Sequence, residues 1–147
     1  MNYREIRGNI FNSDCHATVN TVNCVGVMGK GIALAFKQRY PAMFNEYRAD
    51  CANRILRPGC VTRHVVPDHL VLNFAVKDHW RDPSKLEWVE QCLKVFVSNY
   101  GAWGIDSVAF PWMGAMNGRL PLHEVQTLMR QYLRYLPIRV EVYDFQP

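Results

Sequence analysis

The feature that most constrains this chain is the run from Val19 to Phe36, VNTVNCVGVMGKGIALAF. It begins as a strand, passes through a loop holding Gly26, Gly29 and Gly31, and opens a helix. Ile32, Ala35, Phe36 and Tyr40 fall on one face of that helix. Glycines let successive backbone N–H groups turn toward one point, and a helix start adds unpaired N–H groups and a positive dipole end. Such a loop suits a phosphate; the competing reading is a tight turn that only needs small residues.

The spacing excludes two common phosphate binders. A P-loop would require glycine at Cys24 and a hydroxyl residue at Gly31, and no G-x-G-x-x-G is present. Asn20 and Asn23 flank the loop. An amide donates and accepts, which suits ribose hydroxyls, although both side chains could equally serve to fix the turn.

Strands and helices alternate along the rest of the chain. Strands are predicted over residues 3–10, 16–22, 60–66, 69–76, 107–112 and 138–143, and helices follow Gly31, Pro41, Ser84 and Pro121. Leu70–Val76 is nearly continuous in apolar residues, as a strand covered on both faces must be. Ser84-Lys85-Leu86-Glu87 has the pattern of a capping box. The order implies an α/β fold with a largely parallel sheet and helices on both faces, whose ligands bind beyond the C-terminal strand ends. Three loops of suitable chemistry follow strands: the glycine loop, the cluster Lys77-Asp78-His79-Trp80-Arg81, and Met113-Gly114-Ala115-Met116-Asn117-Gly118-Arg119.

The totals allow one domain over residues 1–147, with 49% hydrophobic and 20% charged residues. A formal charge of +4 permits a polyanionic partner without demanding one. Five cysteines, an odd number without C-x-x-C spacing, argue for reduced thiols rather than a disulfide framework or a zinc site. The N-terminus lacks the apolar region of a signal peptide and no apolar run reaches membrane-spanning length, so a cytoplasmic chain with no membrane partner is expected.

Gly8-Asn9-Ile10-Phe11, the 19–36 run and the second glycine loop together resemble the macrodomain family over almost the whole chain. The wording of residues 20–33 and Asn73–Arg81 is similar to the DarG-like group of DNA ADP-ribosyl glycohydrolases, antitoxins to a DNA ADP-ribosyltransferase toxin. More distantly it resembles the terminal ADP-ribose protein glycohydrolases of the same clade. The resemblance implies a three-layer α/β/α macrodomain with a central mixed, largely parallel sheet. It implies that Asn9 and Ile10 hold the adenine end of ADP-ribose and that Asn20 and Asn23 border the distal ribose. Val27, Met28, Gly29, Lys30, Gly31 and Ile32 would wrap the diphosphate and that ribose. Met113, Gly114, Ala115, Met116, Asn117, Gly118 and Arg119 would clamp the other side.

Lys77 stands where that group carries its active-site lysine. It would act at the glycosidic centre of an ADP-ribosylated DNA base, thymine in single-stranded DNA, with Lys30 and Arg81 as cationic neighbours that lower its pKa. Without the resemblance, Lys77 reads as a surface lysine or a fixed cation against phosphate. His79, Trp80 and Arg81 are candidate substrate contacts, with Trp80 either stacking on a base or capping the core. No cofactor and no metal are expected, and a monomer is. The sequence departs from the family at Asn9, usually aspartate, at Ala115, and at Met116, usually glycine. Met116 either narrows the phosphate cleft or lines the substrate entrance. These departures keep a non-catalytic ADP-ribose-binding module open. A hydrolase of ADP-ribosylated protein carboxylates or of small ADP-ribose derivatives also stays open, and the absence of an aspartate at Gly118 weakens the protein-substrate case. The group carries a further C-terminal region, so the chain reads either as part of a longer protein or as a free-standing version.

Overall fold

The structure, a computed structural model, describes residues 2–145. Met1, Gln146 and Pro147, the outermost residues of the expected 1–147 domain, lie outside the described residues. Strand β1 (Tyr3–Gly8) is followed by a 3-10 turn (Ile10–Asn12) and β2 (Ala17–Val22). Helices α1 (Gly31–Arg39) and α2 (Pro41–Ala52) precede β3 (Val61–Val65) and β4 (Leu70–Ala75). Helix α3 (Leu86–Asn99), β5 (Ser107–Pro111), α4 (Leu122–Leu133) and β6 (Arg139–Phe145) complete the order.

The strands form one six-stranded sheet in the order β1-β6-β5-β2-β4-β3. Every pairing is parallel except β3 with β4. Parallel neighbours need a crossover, so helices must cover the sheet. Helices α1 and α2 pack on one face through Phe36, Met43 and Tyr47. Helices α3 and α4 pack on the other through Val89, Leu93, Phe96, Val125 and Met129. The central strands β4 and β5 are therefore almost wholly buried, whereas edge strand β1 alternates with exposed positions. Pro41 ends α1 by excluding the α conformation at Tyr40, then starts α2 at its first turn. No helix among the described residues is long and apolar enough to cross a membrane.

Three rings lock the middle of the sheet to α3. Phe110 meets Phe74 edge-on at 5.7 Å and Phe96 at 5.3 Å between ring centroids. All three are fully buried.

The capping box did not form. Lys85, without a side-chain cap bond, occupies the N-cap of α3. Ser84 is buried, and its backbone N–H donates instead to the Gly118 carbonyl at 2.9 Å. The serine is used to join two loops, which local sequence does not reveal. Pro121 sits one residue earlier than expected, at the N-cap of α4.

Truncating the central ring tests this core. Phe110→Ala is expected to lower unfolding free energy by about 3–5 kcal/mol in urea denaturation; a loss under about 1 kcal/mol contradicts the packing described.

Candidate active site

Strands β5, β2 and β4 are adjacent and parallel, so their C-terminal ends share one edge. The three loops singled out in the sequence leave from those ends: residues 23–30 after β2, 76–85 after β4 and 112–121 after β5. Backbone bonds tie them together. Cys24 N–H donates to Asp78 O at 2.9 Å, and Ser84 N–H reaches Gly118 O across the sheet edge.

Lys77 lies where the loops meet. The residue is 9% exposed, and Nζ donates to the Asn117 carbonyl at 2.7 Å. Its pKa is pushed below the ordinary lysine value, first by burial, then by the Arg119 guanidinium and to a lesser degree by Lys30, while Asp82 opposes. The expected cationic neighbour Arg81 is thus replaced by Arg119. Arg81 turns its guanidinium over the Trp80 ring, 4.9 Å from the centroid, and its carbonyl accepts from Arg119 Nη2 at 2.6 Å. Asp82, five residues past Lys77, was missed; only its closeness in sequence pointed to it.

The second loop is shaped by glycines that tolerate nothing larger. Gly114 adopts φ +80°, and a Cβ on Gly118 would collide with the Gly114 carbonyl and Ser84 Oγ. Arg119 also takes a left-handed φ of 61°. Met113 is fully buried in the core beneath. Met116 is 76% exposed, at the outside of the loop rather than within it. On the facing side Gly31 has φ +57°, and a Cβ there would come within 2.5 Å of Asn117 Nδ2. The two loops therefore approach each other closely beside Lys77.

The glycine loop is braced from inside. Asn23 Oδ1 accepts from Val25 N–H at 3.0 Å and from the Tyr47 hydroxyl at 2.7 Å, and its Nδ2 donates to Val27 O at 2.8 Å. Asn20 is 0% exposed, and its Nδ2 donates to Asn73 Oδ1 at 3.1 Å. Both side chains fix the fold, and a ribose contact through the Asn20 side chain does not match this burial. Tyr47 and Asn73 were missed as partners; the one signal was a lone asparagine within the apolar run 70–76. Met28 is buried in the α1–α2 core, leaving it only backbone groups to offer a ligand.

At the start of α1, Lys30 occupies the N-cap without a side-chain capping bond to the first N–H groups. The Asn9 segment, which follows edge strand β1, reaches this helix on the same face of the sheet. Asn9 Oδ1 accepts from Phe11 N–H at 2.9 Å, and the Phe11 ring packs against Phe36 of α1 at 4.7 Å. Ile10 is fully buried in a small cluster that Ile32 also joins, leaving it only backbone groups to offer a ligand. A cavity of about 590 Å³ opens on the other side of the glycine loop, among Cys24–Gly29, Lys37, Phe44 and Arg48. A second, of about 240 Å³, lies at the N-terminal ends of β2 and β4, beside Ile10, Thr18 and His69. Lys77 lines neither. Among the described residues no three His, Cys, Asp or Glu side chains gather closely enough to hold a metal ion.

Comparison with known proteins gives this arrangement a family. The Macro domain family model matches residues 19–129. The chain belongs to the macrodomain family. The DNA ADP-ribosyl glycohydrolase of Thermus aquaticus is 38% identical over 148 aligned residues, covering 98% of this macrodomain chain and 41% of the relative. That of Mycobacterium tuberculosis is 40% identical over 134 residues, covering 88% and 38%. This chain therefore spans about two-fifths of the length of these curated relatives. The solved macrodomain of Thermus aquaticus DarG superposes with a TM-score of 0.88 at 38% identity, covering 99% of this chain and 98% of that one. Thermosipho africanus DarTG in complex with ADP-ribose gives 0.86 at 31%, covering 92% and 39%.

The charge environment of Lys77 can be read directly. By NMR titration of its Cε resonance, Lys77 is expected to lose its proton below 10.5, the ordinary lysine value. Arg119→Ala should move that midpoint upward, because removing a nearby cation favours the ammonium. A midpoint at or above 10.5 in the wild type, or a downward move in the variant, contradicts the electrostatics. Gly118→Ala is expected to cost about 1–3 kcal/mol of stability by overpacking the loop against Gly114, measured by thermal unfolding.

Proposed function

We propose that this chain is a single macrodomain over residues 1–147 that hydrolyses ADP-ribose from a DNA base, thymine in single-stranded DNA. The observation that carries the reading is Lys77: a largely buried amine, held by the Asn117 carbonyl between two glycine loops and disfavoured as an ammonium. The names of the glycohydrolase relatives and the ADP-ribose bound by the Thermosipho africanus protein support it.

In this reading the diphosphate is held by backbone N–H groups of residues 27–32 and the uncapped start of α1, where the helix dipole favours an anion. The 113–119 loop closes over it. Asn9 serves the adenine end through its carbonyl, without the charge-assisted bond an aspartate would make. The distal ribose then presents its anomeric carbon to Lys77. Such carbons pass through oxocarbenium-like states and accept a nucleophile. A neutral Lys77 amine forms a bond to that carbon while the C–N bond to the base breaks; its electron pair leaves with the base, which takes up a proton. Water then displaces the amine and releases ADP-ribose. The protonated form of Lys77 offers a second role, donating a proton to the departing base. No cofactor takes part. The chain acts as a monomer in the cytoplasm, opposite a DNA ADP-ribosyltransferase toxin.

The test uses ADP-ribosylated single-stranded DNA and glutamate-ADP-ribosylated protein as parallel substrates. Lys77→Ala should cut release from DNA about a hundredfold or more, while calorimetry still detects ADP-ribose binding. Lys77→Arg should also fail, since guanidinium keeps the charge but cannot become a neutral nucleophile. Full turnover by Lys77→Ala would sink the proposal, and rescue by Lys77→Arg would reduce the lysine to a fixed cation. Release from neither substrate by the wild type, with ADP-ribose still bound, leaves a binding module; release from the protein alone transfers the activity to carboxylate esters.

A further inference from the structure

Around Lys77 the loops carry aromatic and cationic side chains that the core does not use, and three of them, His79, Trp80 and Arg81, have no part in holding ADP-ribose. Trp80, three residues past Lys77, is 48% exposed, so it does not cap the core. The His79 ring lies against it, 5.2 Å between centroids and inclined by 35°. The Arg81 guanidinium covers it at 4.9 Å, and the Arg81 carbonyl holds Arg119 alongside. Among the described residues, Lys30, Arg81 and Arg119 form no salt bridge.

A half-exposed indole keeps much of its apolar face in water, and unpaired cations beside it repel one another. One ligand relieves both: a chain of flat aromatic groups joined by anions. We propose that Trp80, with the tilted His79 ring against it, is the platform for an unmodified base next to the ADP-ribosylated one, and that Arg81 and Arg119 take the adjoining phosphates. This rests on the DNA-base reading above. The platform demands an unpaired strand, because in a duplex both faces of every base are already stacked. Arg81 can leave the indole for a phosphate as a base takes its place, so the same residue screens the ring when the site is empty and grips the strand when it is filled. Single-stranded RNA shares this chemistry, and the commitment here is to DNA.

The experiment measures binding of unmodified DNA by fluorescence anisotropy. A labelled oligothymidylate of about 12 nucleotides is titrated with wild type, Trp80→Ala, Trp80→Phe and Arg81→Ala; oligouridylate and a duplex form parallel arms. The wild type should bind the single DNA strand more tightly than the duplex. Trp80→Ala should weaken binding about tenfold, and Trp80→Phe should restore it to within about threefold. Arg81→Ala should weaken it and reduce the salt dependence by roughly one phosphate contact, a slope change of about 0.7. ADP-ribose affinity by calorimetry should be the same in Trp80→Ala as in wild type, which shows that the variant is folded. Equal strand binding by wild type and Trp80→Ala overturns the proposal, as does equal binding of duplex. Tighter binding of oligouridylate overturns the assignment to DNA. Trp80-dependent strand binding by a protein that releases no ADP-ribose from modified DNA rejects the proposed function and leaves the platform standing. Release that proceeds with strand binding indifferent to Trp80 does the reverse.

Discussion

Parallel pairing of β5, β2 and β4 is the constraint on which the site depends. Strands that run the same way must end at the same edge, and each must be followed by a chain segment that crosses back over the sheet. The crossover supplies a loop at that edge whatever its sequence. Because these three strands are neighbours, their loops are neighbours too. Residues more than eighty positions apart, such as Gly31 and Asn117, are thereby brought face to face, and the bonds between the loops only fasten what the strand order has already brought together. The aromatic packing of Phe74, Phe96 and Phe110 then keeps two of the strands at a fixed height under α3.

Within that frame, electrostatics decides what Lys77 can do. A lysine on an open surface is an ammonium at any physiological pH and is poor as a nucleophile. Here the hydrocarbon of the sheet lies beneath it, the loops cover it, and Arg119 and Lys30 add positive charge. The Asn117 carbonyl fixes the position of Nζ but offers no full negative charge to hold the proton. Asp82 works against the others, and the net direction is toward the neutral amine.

Much of this was legible in the sequence because it is periodic or local. Strand and helix alternation, the break at Tyr40-Pro41 and the three loops follow from apolar spacing, proline geometry and glycine placement. What escaped was long-range. Ser84 has the local pattern of a cap, yet its N–H is drawn to Gly118, thirty-four residues away. Arg81 is close to Lys77 in sequence, but the turn at Arg119 brings a different guanidinium nearer in space. Asn20 and Asn23 look alike as ligand-facing amides. Only the pairing of β2 with β4 and the position of Tyr47 show that one is sealed inside and the other folds its own loop. Membership of the family was legible in Gly8–Phe11, the 19–36 run and the second glycine loop, and the last two lie within the 19–129 match.

The buried amide pair between β2 and β4 has a further consequence. Asn20 and Asn73 are direct neighbours in the parallel register, and Asn20 Oδ1 has no hydrogen-bond partner among the described residues. Two polar side chains in an otherwise hydrocarbon layer are a poor way to gain stability. They are a good way to fix alignment. Sliding one strand past the other by a single residue would set Asn20 against Leu72 or Phe74 and break the bond between the two amides. Lys77 lies four residues beyond Asn73, and the glycine loop begins three beyond Asn20. The amide pair thus acts as a vernier mark, setting the height at which the lysine meets the loop from a point deep below both.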